Sequence, residues 1–292
     1  MKWDDFRRSD NVEDAGPGGG GGMPFGGGFR LGGGAVIAVI VISLLLGKNP
    51  LEILSLLDGG APPATQSSVQ GGPQGQPVPN DPQRDFVRAI LGDTEDFWTA
   101  ELARQGVRYQ KPKLTLFQRS VDSACGFAST AMGPFYCPGD QHVYLDLEFF
   151  RELSQRFGAP GDFARAYVIA HEIGHHVQNQ LGLMGDRQGF SGGGSERSRN
   201  AQSVRIELQA DCLAGVWGHS AQARGALDTR DIEQGLAAAA SVGDDRLQQQ
   251  SRGYAVPESF THGSSAQRVR WFRVGLSSGD LRQCDTFSAA TL

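Results

Sequence analysis

Residues 166–179 read AYVIAHEIGHHVQN. His171 and His175 stand four apart, and Glu172 directly follows the first. From Asp162, a suitable N-cap, apolar residues fall at Phe163, Ala166, Ala170, Ile173, Val177 and Leu181, and Gly182 closes the run. That is one face of an amphipathic helix. On a helix, positions i and i+4 lie about 5–6 Å apart, so two imidazoles so placed can reach one ion. Zinc binds imidazole nitrogen at about 2.0–2.1 Å and suits the pair. Glu172 is rotated by about 100° from His171 and stands beside such an ion, where it can hold a bound water. His176 points about 100° away from His175, which reads as a packing or supporting residue rather than a ligand. The bland alternative for His171 and His175 is a polar helix surface.

A third ligand decides between these readings. In H-E-x-x-H-x-x-G-x-x-H it would be a histidine, but Gln178 and Leu181 occupy those two positions here. A later segment, residues 203–221, reads SVRIELQADCLAGVWGHSA. Val204, Leu208 and Val216 give it an apolar side, and Glu207 and Asp211 lie one turn apart. Glu207 can complete a His₂Glu zinc site with an open position for water. Asp211 can accept the other ring N–H of His171 or His175 and fix its tautomer. An ordinary solvated acidic face is the competing reading, but this pair sits among Ala, Leu, Gly and Trp rather than among charges.

Further stretches extend the pattern: HEIGHHVQNQLG, RIELQADCLAGVW, CGFASTAMGPFYCPGDQHVYLDL and SFTHGSSAQRVRWF. Together they resemble the bacterial family of neutral zinc metallopeptidases, over nearly everything from Arg84 onward plus the Gly-rich head and apolar run. The resemblance implies a zincin fold with H-E-x-x-H and a glutamate third ligand. The fold class expected is therefore α+β, mostly helical: a zincin-like domain with a small sheet, preceded by a single transmembrane helix and flexible linkers.

Composition sets the organisation around that domain. The chain has 292 residues and a net charge of −5, without the basic stripe that nucleic acid would require. Residues 1–31 read as a disordered Gly-rich head. Residues 32–57 read as a membrane anchor with an interfacial piece, since GGGAVIAVIVISLLL carries no charge between Arg30 and Lys48. A span needs about 17–25 apolar residues, so this run is at the short end. Lys2, Arg7, Arg8 and Arg30 precede it, which places the N-terminus in the cytoplasm and the domain outside. Residues 58–83, rich in Pro, Gly and Gln, read as a tether of roughly 25–30 Å. Residues 84–292 remain as the folded domain.

None of Cys125, Cys137, Cys212 and Cys284 forms a C-x-x-C pair. An exported domain implies two disulfides, Cys125 with Cys137 around a turn-rich loop and Cys212 with Cys284. In the chain-entropy view they contribute about 3 and about 4 kcal/mol. Four reduced thiols in a cytosolic protein are the alternative.

If the site is catalytic, Glu172 is the general base and an oxyanion donor is also needed. His262, in the loop FTHGSS, is the candidate taken here, with Tyr254 and Arg268 as competitors. The strand VYLDL could pair with a peptide substrate. The Gly/Ser-rich segment 185–200 reads as a mobile loop or a lid. The partners expected are a peptide or protein substrate and a membrane, with zinc as cofactor. Two rivals share the same ligands: a non-catalytic zinc-stabilised envelope protein and a metal-dependent amidase acting on cell-wall peptides.

Overall fold

The computed structural model describes residues 1–15, 81–184 and 195–292. The apolar run at 32–57, nearly all of the 58–83 tether and residues 185–194 lie outside the described residues. No helix among the described residues is long and apolar enough to cross a membrane.

The fold is α+β and mostly helical. A four-stranded sheet contains β1 (Val12–Asp14), β2 (Lys113–Phe117), β5 (Phe135–Cys137) and β6 (His142–Asp146), in the order β1-β2-β6-β5. β1, β2 and β6 run parallel, and β5 is antiparallel to β6. β2 is buried on both faces from Leu114 to Phe117, as a covered parallel strand must be. β3 (Ser120–Ser123) and β4 (Gly126–Ser129) form a separate hairpin, and the Cys125–Cys137 disulfide ties its turn to β5.

Four of the seven α-helices among the described residues start with a side-chain cap, whereas the helix of His171 starts from Gly161 rather than from a cap at Asp162. α1 (Pro82–Ala103) begins with a proline in its first turn, and Asp81 accepts from the Gln83 N–H. α2 (Glu148–Gln155) follows β6 directly. α3 (Asp162–Gln180) carries the two histidines, and α4 (Glu196–Ala223) carries Glu207. α5 (Thr229–Ser241) and α7 (Ser265–Ser278) each start with a capping box, Asp228 with Asp231 and Ser264 with Gln267. α6 (Asp244–Arg252) ends on the left-handed Gly253.

α3 departs from the amphipathic reading. Every residue from Phe163 to Gln178 except Arg165 is buried, because α1, α4, α5 and β5 enclose the helix. The face that seemed polar also holds Ala164 and Gly174, small enough for neighbours to close over it. His171, Glu172 and His175 are therefore buried polar groups, which are costly unless partnered.

The N-terminal segment is a second correction. Residues 1–15 belong to the folded body instead of a disordered head, and the body does not begin at Arg84. β1 pairs with β2 from Val12 to Asp14. The Ser9 N–H donates to the Arg88 carbonyl at 2.9 Å. The Ser9 hydroxyl and the Asn11 amide donate to the buried Glu95 carboxylate at 2.7 and 2.6 Å. Arg8 pairs with Asp85 at 2.7 Å, and Arg84 pairs with Asp14. The charges of this segment are thus partners for α1. A three-residue strand has no periodicity by which a sequence could announce it.

Candidate metal centre

Two helices make the site. α3 contributes His171 and His175, α4 contributes Glu207, and their ligand atoms lie within 4.8 Å of one another. His171 Nε2 is 3.2 Å from Glu207 Oε2, and His175 Nε2 is 3.6 Å from Glu207 Oε1. Nitrogen and oxygen donors at zinc distances in a tetrahedron stand about 3.3 Å apart, so the spacing fits one ion.

The other ring nitrogens show why these donors are ready. His171 Nδ1 lies 2.9 Å from Asp211 Oδ1, and His175 Nδ1 lies 2.9 Å from Gln178 Oε1. Both partners accept hydrogen bonds there, which assigns the ring proton to Nδ1 and leaves each Nε2 lone pair for a metal. Asp211 is fully buried. Arg268 grips it through Nε to Oδ2 at 2.8 Å and Nη2 to Oδ1 at 2.9 Å, and Arg268 Nη2 also donates to the Tyr167 hydroxyl at 3.2 Å. The buried charges are therefore matched and hydrogen-bonded, as burial demands.

Electrostatics follow from this crowding. Burial opposes ionisation of Glu207, but His175, His262 and His171 outweigh it and hold the carboxylate well below its usual range. Burial likewise opposes charge on His171, yet Asp211 and Glu207 raise its pKa to about 10. Without an ion the proton on His171 does part of the work of a cation. A metal must displace that proton to bind, so binding releases it.

Glu172 is 8% exposed, and no described residue hydrogen-bonds its carboxylate. It stands directly beside His171 in the chain and on the same helix.

His262 lies on the loop leading into α7. The backbone N–H groups of Thr261, His262 and Gly263 all donate to Asp244 Oδ2, at 2.7, 2.7 and 3.1 Å. Its Nδ1 is 3.3 Å from Asp244 Oδ1, and the ring is half exposed. Burial works against its charge, but Glu207 and Asp244 raise its pKa to about 9. The fold thus brings a cationic imidazole within electrostatic reach of Glu207. The competing donors are placed otherwise. Tyr254 is exposed under Arg252, and Arg268 is committed to Asp211.

Two further expectations are corrected or bounded, and the reading of His176 is met. The strand VYLDL is β6, which has β2 on one side and β5 on the other, so its backbone has no free edge for a peptide. The two outer strands of the sheet are β1 and the antiparallel β5. Segment 185–200 is helical from Glu196, and its first ten residues lie outside the described residues. His176 supports the fold rather than the metal: it is fully buried, Nε2 donates to the Gln110 carbonyl at 2.6 Å, and Nδ1 lies 3.1 Å from the Tyr136 hydroxyl.

The disulfides join Cys125 to Cys137 and Cys212 to Cys284, so α4 is pinned to the C-terminal segment one turn beyond the ligand. Sequence reasoning missed Tyr167, Gln178, Gln209 and Gly174. Gln178 carried a signal, since it interrupts the longer histidine motif, but nothing in the chain order says what it touches.

Two histidines one helical turn apart and a glutamate from the next long helix form a His₂Glu set that could hold a metal ion. The family described as "Putative neutral zinc metallopeptidase" matches residues 1–287, and the chain belongs to it. The Escherichia coli (strain K12) "Uncharacterized protein YpfJ" is 46% identical over 290 residues, covering 98% of this chain and 99% of that one. The Mycobacterium tuberculosis (strain H37Rv) "Uncharacterized protein Rv2575" is 49% identical over 195 residues, covering 63% of this chain and 65% of that one. No solved structure matches the chain.

Proposed function

We propose that the protein is a zinc-dependent endopeptidase with a zincin-like active site, in which His171, His175 and Glu207 hold the ion and Glu172 is the general base. The observation that carries this is Glu172, a nearly buried carboxylate with no hydrogen-bond partner among the described residues, beside three converged groups that could hold an ion. A site serving folding alone has no use for such a group.

Zinc held there would supply a Lewis acid able to lower the pKa of a water from 15.7 to about 7. Glu172 takes a proton from the attacking water and passes it to the leaving amine. His262, half exposed, donates its free ring N–H to the oxyanion that develops. Asp211 and Gln178 keep the ligand rings in the tautomer that binding needs.

Membrane attachment through residues 32–57 belongs to the same proposal, with its topology revised. The two disulfides favour an oxidising compartment for the body. β1 belongs to the sheet of that body, so residues 1–15 share its compartment rather than lying in the cytoplasm.

The test compares wild type with Glu172→Gln on a broad peptide library, with zinc content measured on both. Bound zinc in both and turnover lowered at least about 100-fold in the variant is expected. Equal turnover removes Glu172 as the base, and zinc without turnover in the wild type favours the scaffold reading.

A further inference from the structure

We propose that Gln178 and Gln209 are positioning residues for His175, forming a relay that carries the constraint of the Cys212–Cys284 disulfide into the metal site. This rests on the metal-binding reading above. His175 Nδ1 is 2.9 Å from Gln178 Oε1. Gln178 Nε2 donates to the Ile206 carbonyl at 2.8 Å and to Gln209 Oε1 at 2.9 Å. Gln209 Nε2 donates to the Cys284 carbonyl at 2.9 Å. Both glutamines are buried, Gln178 completely.

The direction of every bond in this chain is fixed from its far end. A backbone carbonyl only accepts, so Gln209 must turn its amide nitrogen to Cys284. Its oxygen is left to face Gln178, which must answer with its own nitrogen. The Ile206 carbonyl demands the same orientation independently. Gln178 is then left with only its oxygen toward His175, so His175 must donate from Nδ1 and keep its Nε2 lone pair. Two carbonyls thus specify the tautomer of a metal ligand. One precedes Glu207 in the chain, and the other belongs to a disulfide half-cystine.

The tail is held on a stripe of α4 separate from the metal-facing one. Arg205 donates to the Thr286 carbonyl, the Thr286 hydroxyl donates to the Arg205 carbonyl at 2.7 Å, and Cys212 is bonded to Cys284. Arg205, Gln209 and Cys212 form that stripe. Glu207 and Asp211 form the stripe presented to the histidines. Releasing Cys284 therefore loosens the fixed end of the relay while the ligands stay in place on their helices.

The test measures zinc affinity by chelator competition on the full chain, together with the visible spectrum of the cobalt-substituted protein. Variants are Gln178→Leu, Gln209→Leu, the Cys212→Ser/Cys284→Ser pair, and that pair combined with Gln178→Leu. Thermal unfolding of the metal-free proteins controls for folding, and Gln209→Leu serves if Gln178→Leu does not fold. Gln178→Leu should weaken zinc binding by about 10–100-fold and shift the cobalt bands. Gln209→Leu and the cysteine pair should weaken it in the same sense, and the cysteine pair should add nothing once Gln178 is leucine. Unchanged affinity and spectrum in both glutamine variants overturns the positioning role. An undiminished effect of the cysteine pair on the Gln178→Leu background overturns the relay. Absence of zinc binding by the wild type overturns the metal reading and this proposal with it.

Discussion

Gly174 lies against Ala210 at the point where α3 meets α4. A Cβ on Gly174 would stand 2.9 Å from the Ala210 carbonyl oxygen, closer than such atoms come in folded proteins. This glycine sits between Glu172 and His175 on one helix, and Ala210 sits between Glu207 and Asp211 on the other. The close approach is therefore what sets the separation between the two sets of ligands.

Gly174→Ala should push the helices apart by a few tenths of an ångström and cost about 1–3 kcal/mol, as overpacking does. Zinc affinity should fall with stability, since Glu207 retreats from both imidazoles. Chemical denaturation and chelator competition on the same variant read both effects. A stable variant with intact affinity would mean that the helix contact does not govern the site.

His176 makes stability depend on acid. Burial lowers its pKa from 6.5 to about 4, against a small opposing effect of the Gln110 carbonyl. The unfolded chain therefore binds a proton at this ring more readily than the folded one. The stability it contributes is full above pH 6.5 and is lost as pH falls from 6.5 towards 4, by about 3 kcal/mol. His176→Gln should flatten the pH dependence of unfolding within that window, whatever it does to absolute stability. An unchanged slope would contradict the buried neutral state.

The pairing of β1 with β2 fixes compartments. Asp10, with its side chain 97% exposed, and Arg104, with its side chain 71% exposed, lie on opposite sides of the undescribed stretch in the chain but on one folded body. Single Asp10→Cys and Arg104→Cys variants should both react with a membrane-impermeant maleimide in intact cells. Protection of both would move the body to the cytoplasm yet keep the pairing. Labelling of Arg104→Cys alone would restore a single crossing and break the β1–β2 pairing in the cell.

Legibility in the sequence followed the range of each interaction. His171 and His175 could be read because their spacing is a property of one helix. Glu207 and Asp211 could be read because they are a matching pair on another. The disulfide partners followed from the count of cysteines and their separation. What stayed hidden depends on contacts between elements distant in the chain. β1 is too short to carry a pattern, and its stability comes from β2 and from Glu95. The burial of α3 on all sides comes from four neighbours. Gln178 looked like a failed motif position, because its partners Ile206 and Gln209 come from another helix. VYLDL carries a strong strand pattern, but no pattern within it says that the sheet places β2 on one side of it and β5 on the other.

The most direct measurement is the metal content and absorption-edge spectrum of purified wild type beside Glu207→Ala. We expect one zinc per wild-type chain, with two imidazole nitrogens and carboxylate oxygen at about 2.0–2.2 Å, and affinity lowered by orders of magnitude in the variant. Full zinc occupancy in Glu207→Ala with an unchanged coordination shell would contradict the shared site.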